Sequence, residues 1–338
     1  MPVMPMGQVR PSPVDLLLVA DVPLTGQRLR DGPRYARVRA GVYAPHSTWQ
    51  ALAPWDRYLA RVHAYALVNS DAVFSHESSA ALMGLPIFGE PRDIHIHDPD
   101  RARSRRFGDV CVHTSVDPPV TERRGFAHTT SAAQTAVDLM RVLPPAFALA
   151  VADAAISPFQ GGTNTIDDLR AIAAVESDRR GRGQLAVLWP LVDARAESVG
   201  ESVSRAVMLW AGFEEPELQV EIVSEGCRDR VDFGWRTVRA LGESDGYEKY
   251  RGESADDTVA RVIDEKRRED RLRRECRAFG RWDWSAAVAV KPLTDRLDSM
   301  GVPRMRPQRP ALLATLGTNP RSAPSARNRK PADTSSTA

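Results

Sequence analysis

The chain has 338 residues, and since single hydrophobic cores stop growing at roughly 250–300 residues, two or three domains are expected. Apolar residues at 42% and charged residues at 27% are ordinary for a soluble globular protein. The net charge of +2 is unevenly spread: residues 301–338 carry seven Lys or Arg and one Asp, leaving the body at −4. That balance excludes the domain-wide basicity of a dedicated nucleic-acid binder, while leaving room for local patches.

Cys111, Cys227 and Cys276 are odd in number and far apart, with no metal-like spacing, which points to reduced thiols and a cytoplasmic setting. The apolar run "VDLLLVA" (14–20) is too short to span a membrane and lacks a signal-peptide cleavage pattern. It reads as a short helix. "RYARVRAGVYAP" (34–45) alternates Ala36, Val38 and Ala40 against Tyr35, Arg37 and Arg39, a strand or hairpin signal closed by Gly41 and Pro45. Its arginine face suits either a phosphate backbone or plain solvent.

"WDRYLARVHAYALVN" (55–69) places Tyr58, Val62 and Tyr65 at helical spacing, and "SHESSAALMGLP" (75–86) opens on a Ser cap and closes at Gly84. The neighbours Ser75, His76 and Glu77 spell a triad alphabet, but a triad is made by spatial convergence, so capping is the reading here. "RDIHIHDP" (92–99) and "DVCVHTS" (109–115) read as strands. His95 and His97 share a face near His113, a metal-site alternative weighed against a plain sheet-surface role, which the lack of a spaced Cys or acid favours. Helices follow at 131–143 and 145–156, and "DDLRAIAAVESDRRGRGQ" (167–184) is a helix ending in a basic loop with Arg179, Arg180 and Arg182. A solvated loop is the default there and a phosphate contact the sharper alternative.

From residue 195 onward the pattern becomes a helix from Glu201, a strand "PELQVEIV", a turn, a second strand "RVDFGW" (230–235) and a third, "VRALGESD" (238–245). A charged helix (257–280) and a last strand, "RWDWSA", follow. Glu243 and Asp245 are two apart and share a strand face; Asp232 can sit across from them and Glu201 above them. Two carboxylates about 4 Å apart repel by about 4 kcal/mol at an effective dielectric near 20, so such a cluster needs a cation or raised pKa values. An oxygen-only set suits Mg²⁺ or Mn²⁺. Asp-Gly is also a common turn dipeptide, and a solvated turn on an interaction module stays open as a reading. After residue 300, Pro, Ser, Arg and Ala dominate, which predicts a disordered basic tail.

"QVEIVSEGCRDRVDFGWRTVRALGESDG" resembles the core of very-short-patch-repair-like endonuclease domains in the PD-(D/E)xK nuclease superfamily, with "DEKRREDRLRRECRAFGRWDWSAAV" as its closing helix and strand. The resemblance spans about residues 195 to 297. It implies Asp232 and Glu243 as Mg²⁺ or Mn²⁺ ligands, Glu201 as the helix acid and Gln219 at the polar position of the early strand. The superfamily's usual lysine, two after the acid, is replaced by Asp245; the nearest substitute is Lys249, about 13 Å further along were the strand to continue. Gly246 is what would let that lysine fold back.

Upstream, "RYARVRAGVYAP", "SHESSAALMGLP" and "GFAHTTSAAQTAVDLMR" are similar to actinobacterial proteins of the AbiEi-antitoxin-like group. That similarity implies DNA binding, and a cognate toxin as a partner. The expected architecture is therefore α+β and multidomain. It comprises a short winged-helix-like segment (1–54), an α/β middle domain (55–190), a restriction-endonuclease-like α/β/α core (191–300) and the basic tail (301–338).

Two functions are implied: a Mg²⁺-dependent DNA endonuclease or nickase, or an antitoxin-like DNA-binding regulator with a catalytically silent domain. In the first, Glu201, Asp232, Glu243, Asp245 and Lys249 form the catalytic set. Arg37, Arg39, Arg179 and Arg180 are the candidate DNA contacts in both.

Overall fold

The computed structural model describes residues 8–21, 30–245 and 255–323, the first eight residues of the last stretch by backbone alone. Lys249 and Gly246 lie outside the described residues. The architecture is mixed α and β, in two units: Gln8–Ser131 with the segment that begins at Asn319, and Ala132–Thr318.

The first unit opens with a small antiparallel sheet of strands β1 (Leu17–Leu18), β2 (Tyr35–Arg39) and β3 (Val42–Pro45), in the order β1-β3-β2. The helix expected at 14–20 is not formed. Leu17 pairs with Tyr43 and Leu18 with Val42, and a 3₁₀ turn, Val19–Asp21, follows. A seven-residue helix is marginal without tertiary support, and here the neighbouring hairpin offers backbone partners instead. The β2–β3 hairpin forms as its alternation predicts, turning through Gly41 at φ +79°.

The helix Pro54–Val68 buries Tyr58, Leu59, Val62 and Tyr65 against Phe74, Leu82, Ile94 and Val112. Its Ala60 faces the other way, into a second cluster with Val14 and Ala44. One helix thus serves both the small sheet and the larger one, so the first 54 residues do not part from those that follow.

The larger sheet has six strands: β4 (Val73–Phe74), β5 (Ile94–His97), β6 (Arg105–Phe107), β7 (Val110–His113), β8 (Thr121–Arg124) and β9 (Ala127–Thr130). Their order is β6-β7-β5-β4-β9-β8, with β5 parallel to β7 and β4 parallel to β9. The helix His76–Met83 ends at Gly84 in the left-handed region, as read from sequence. Ser75 stands at its N-cap position but makes no side-chain cap bond; its carbonyl accepts from the Ser78 and Ser79 N–H groups.

The second unit begins with the helices Ala132–Val142 and Pro145–Ile156, the latter buried on every side. Its Asp153 forms a buried ion pair with Arg205 on the helix Val199–Trp210, 2.8 Å apart, which joins residues 132–156 to the C-terminal elements rather than to a separate middle domain. The four-stranded sheet comprises β10 (Glu217–Ser224), β11 (Cys227–Trp235), β12 (Ala240–Asp245) and β13 (Ala278–Asp283), in sequential order. β10 to β12 form an antiparallel meander, and β13 returns parallel to β12 through the helix Ala255–Glu275.

Strand β13 starts and stops earlier than its sequence suggests. Asp283 accepts the Ala286 N–H at 2.9 Å and caps a helix, Trp284–Val288, where a strand was expected to continue.

Nor are residues 301–323 a disordered tail. Within the second unit, the Arg304 guanidinium lies 4.2 Å from the Phe213 ring centre and pairs with Asp298, and Met305 donates its N–H to the Gly212 carbonyl. Leu316 is buried. Few large apolar residues are needed because arginine stems and backbone hydrogen bonds do the anchoring. Among the described residues, no helix is long and apolar enough to cross a membrane.

Candidate functional site

The site forms where the first turn of the Val199–Trp210 helix meets the split between β11 and β12. Ser198 caps the helix: its Oγ accepts from the Glu201 N–H and donates to Glu201 Oε1 at 2.8 Å. Glu201 Oε2 accepts from the Glu197 N–H at 2.9 Å and from Gln219 Nε2 at 2.8 Å. The carboxylate is therefore buried and fully oriented. Gln219 sits in β10 at φ +54°, a left-handed conformation that costs a non-glycine residue about 1–2 kcal/mol. It interrupts the ladder between the pairs Leu218↔Phe233 and Val220↔Val231, at the position opposite Asp232. Glu201, Gln219 and Asp232 are thus brought into one neighbourhood. Burial, then the nearby Asp232 charge, push the Glu201 carboxyl up to about 7.

Asp232 also marks where two strands separate. The β11–β12 pairs run Trp235↔Ala240, Gly234↔Leu241 and Phe233↔Gly242, and the next step would set Asp232 opposite Glu243. Instead Asp232 Oδ2 accepts the Ser244 N–H at 2.8 Å. β12 continues against β13, pairing Glu243 with Arg281 and Asp245 with Asp283. The helix packs close here, since a Cβ on Gly200 would come within 2.8 Å of Ser244 Oγ.

Glu243 is buried and engaged by two arginines. Arg268 Nη2 donates to its Oε1 at 2.5 Å, and Arg281 Nε lies 3.6 Å from its Oε2. Asp245 is bound by Arg281 through both Nε and Nη2. The same guanidinium pairs with Glu265 at 3.0 Å and Glu269 at 3.2 Å. Burial works against its charge, yet Asp245, Glu243 and Glu265 together hold the Arg281 pKa above its ordinary value. Arg271 and Arg268 extend the array to Asp229.

The acids expected from sequence therefore fall into two sets: Glu201 with Asp232, and Glu243 with Asp245 under Arg268 and Arg281. Among the described residues, no three of these carboxylates place oxygens within 4.8 Å of one another; His95, Cys111 and His113 do bring their ligand atoms that close. Sequence reasoning assigned no role to Arg268. Its signal was the run "EKRRED", in which one arginine of a charged helix must face the sheet that carries Glu243.

The candidate DNA contacts differ in their freedom. Arg37 is exposed, but Arg39 is committed: it makes two bonds to Asp109 and lies 4.6 Å from the Tyr65 ring centre. Arg179 and Arg180 are exposed, and Arg180 pairs with Asp178.

No family model matches the chain, and no solved structure matches it. Two uncharacterized proteins of Mycobacterium tuberculosis, one from strain CDC 1551 / Oshkosh and one from strain ATCC 25618 / H37Rv, are each 36% identical over 162 residues. The aligned stretch is 47% of this chain and 57% of theirs, so the chain spans little more than half the length of these relatives.

Proposed function

We propose that the second unit hydrolyses phosphodiesters in DNA with the help of a divalent cation. The observation that carries this reading is the buried Glu201 beside Asp232, its carboxyl held at about 7. Two like charges are kept together by a cap, a strained glutamine and a split ladder, an arrangement that a cation would relieve. The oxygen-only donor set fits Mg²⁺ or Mn²⁺. The element order (a helix, a three-strand meander, a crossover helix and a parallel fourth strand) agrees with the nuclease resemblance.

The resemblance assigns the cation to Asp232 and Glu243, with Glu201 and Asp245 assisting, which requires Glu243 and Asp245 to exchange Arg268 and Arg281 for it. A bound Mg²⁺ supplies charge neutralisation at the phosphate and a more acidic water. Glu201, its carboxyl raised to about 7, would be suited to take up or release a proton near neutral pH. Lys249 would balance phosphate charge.

The test is cleavage of supercoiled and branched DNA by the full chain in Mg²⁺ or Mn²⁺. Glu243→Ala and Asp232→Ala should each abolish turnover while the chain still folds and melts cooperatively, at a lowered temperature because each loses buried polar partners. Undiminished cleavage by Glu243→Ala would sink the assignment.

A second reading has its own support: Arg268 and Arg281 already neutralise Glu243 and Asp245, as a cation otherwise would. On that reading the chain is an antitoxin-like DNA-binding regulator, with a toxin as its partner and a silent nuclease-like unit. It predicts salt-steep DNA binding and no turnover with any metal.

A further inference from the structure

We propose that His95, Cys111 and His113, on the six-stranded sheet of the first unit, form a transition-metal site suited to Zn²⁺. The placement follows from strand register. β5 and β7 are parallel, with His95 opposite Cys111 and His97 opposite His113. Paired residues share a face, and so do residues two apart on a strand. "HIH" on one strand and "CVH" on its neighbour therefore set four ligand-type side chains on one face.

Three of them converge. The ligand atoms of His95, Cys111 and His113 all lie within 4.8 Å of one another, and His95 Nδ1 is 2.8 Å from His113 Nε2. Tetrahedral Zn²⁺, with bonds of about 2.0–2.1 Å to nitrogen and about 2.3 Å to sulfur, needs nitrogens roughly 3.3 Å apart. Opening the histidine pair by about half an ångström meets that requirement, well within the reach of a small χ adjustment.

Two further features prepare the site. His95 Nε2, the nitrogen facing away from His113, lies 3.4 Å from Glu77 Oε2. Glu77 is itself gripped by Arg321 through both carboxylate oxygens, and Arg321 Nη2 also approaches His95 Nε2 at 3.2 Å. A carboxylate behind a histidine is the common way to orient a metal-binding imidazole, because it fixes which nitrogen carries the proton. On the other side, His76 stacks on His113 with ring centres 4.0 Å apart and 16° between planes. His76 holds φ +47°, an uncommon conformation for a residue with a Cβ. Its ring walls the site without joining the three ligand atoms.

Two imidazoles and a thiolate select Zn²⁺, Co²⁺ or Ni²⁺ over Mg²⁺. Three protein ligands leave a fourth position for water or an exogenous group. This site is independent of the carboxylates in the second unit, and its donor chemistry is different.

The experiment uses the full chain, stripped of metal by a chelator under reducing conditions and titrated with Co²⁺ and then Zn²⁺. One thiolate-bound Co²⁺ per chain is expected, with the charge-transfer absorption of a cobalt–thiolate bond and the strong visible bands of tetrahedral cobalt, both erased by stoichiometric Zn²⁺. Cys111→Ser should remove the thiolate band, His113→Ala should weaken Zn²⁺ binding at least about tenfold, and Glu77→Gln should weaken it by about 10–100-fold. Cys227→Ser and Cys276→Ser should change nothing. The absence of a thiolate band in the unaltered chain would overturn the proposal without recourse to any variant. So would a band that persists in Cys111→Ser.

Discussion

Gln219 donates through Nε2 to Glu201 Oε2 at 2.8 Å, tying a left-handed residue of β10 to a buried carboxylate at the start of the Val199–Trp210 helix. Two costly features, strain in one residue and a raised pKa in the other, are made to meet opposite Asp232. Structures retain such costs where the surrounding packing imposes them, and they gather at functional positions.

Glu201 makes the second unit's stability depend on pH. Its folded value, about 7, lies above the ordinary carboxyl value, so folding favours the protonated form. The stabilisation is complete below the unfolded value and is lost as pH rises through the window from there to about 7. At about 1.36 kcal/mol per unit, the loss is of order 3 kcal/mol. Asp153, raised by burial to about 6, adds to the same slope. Thermal melts from pH 5 to pH 8 should show a falling transition, and Glu201→Gln should flatten it relative to the parent chain. Equal slopes in the two proteins would refute the assignment.

The Asp153–Arg205 pair should be expensive to break from one side. Both groups are buried; Asp153 also accepts the Asp193 N–H at 2.8 Å, and Arg205 donates to the Leu191 carbonyl. Asp153→Ala leaves a buried guanidinium uncompensated and should lower unfolding free energy by about 3–5 kcal/mol in urea titrations. Replacing both residues with apolar ones of similar volume should recover much of that loss.

Gly242 faces the indoles behind the sheet. A Cβ there would lie 2.5 Å from Trp282 Cη2 and 3.2 Å from Trp235 Cζ3, in a stack that includes Phe233. Gly242→Ala should destabilise by about 1–3 kcal/mol through overpacking and alter the near-ultraviolet dichroism of the tryptophans. Gly183→Ala, where the added carbon meets nothing within 4 Å, is the matched control and should leave that spectrum unchanged.

Arg281 is shared among Glu243, Asp245, Glu265 and Glu269. Arg281→Ala should lower the melting temperature and raise the affinity for Mn²⁺ in calorimetry, because carboxylates freed from a guanidinium become available to a cation. Arg281→Lys should restore only part of the stability, since an ammonium cannot reproduce the two-point grip on Asp245. Unchanged Mn²⁺ binding in Arg281→Ala would argue against Glu243 and Asp245 as cation ligands.

Much of the secondary structure was legible from local pattern. The hairpin around Gly41, the helix carrying Tyr58, Val62 and Tyr65, and the meander through Val231 and Leu241 all follow from periodicity and turn residues. What failed locally failed for identifiable reasons. Leu17 and Leu18 joined a strand because a neighbouring edge was available. Asp283 ended a strand because its side chain could cap a helix. The candidate site was half legible: adjacent spacing pointed to Glu243 and Asp245, whereas the grip of Arg268 on Glu243 depends on a helix 25 residues away in sequence.

By itself, the sequence determined which residues can do chemistry: an oxygen-only set from Glu201 to Asp245, and a "HIH" and "CVH" pair of strands. Alternation and helical spacing are local properties, so they survive without knowledge of the fold. Only the tertiary structure decided which of those residues meet. It divided the acids between Asp232's separated strands and Arg281's ion pairs, and it brought His95, Cys111 and His113 together through a parallel register that no local pattern encodes. Convergence is a matter of long-range pairing, and the energetics of a buried charge or a metal ligand depend on it entirely.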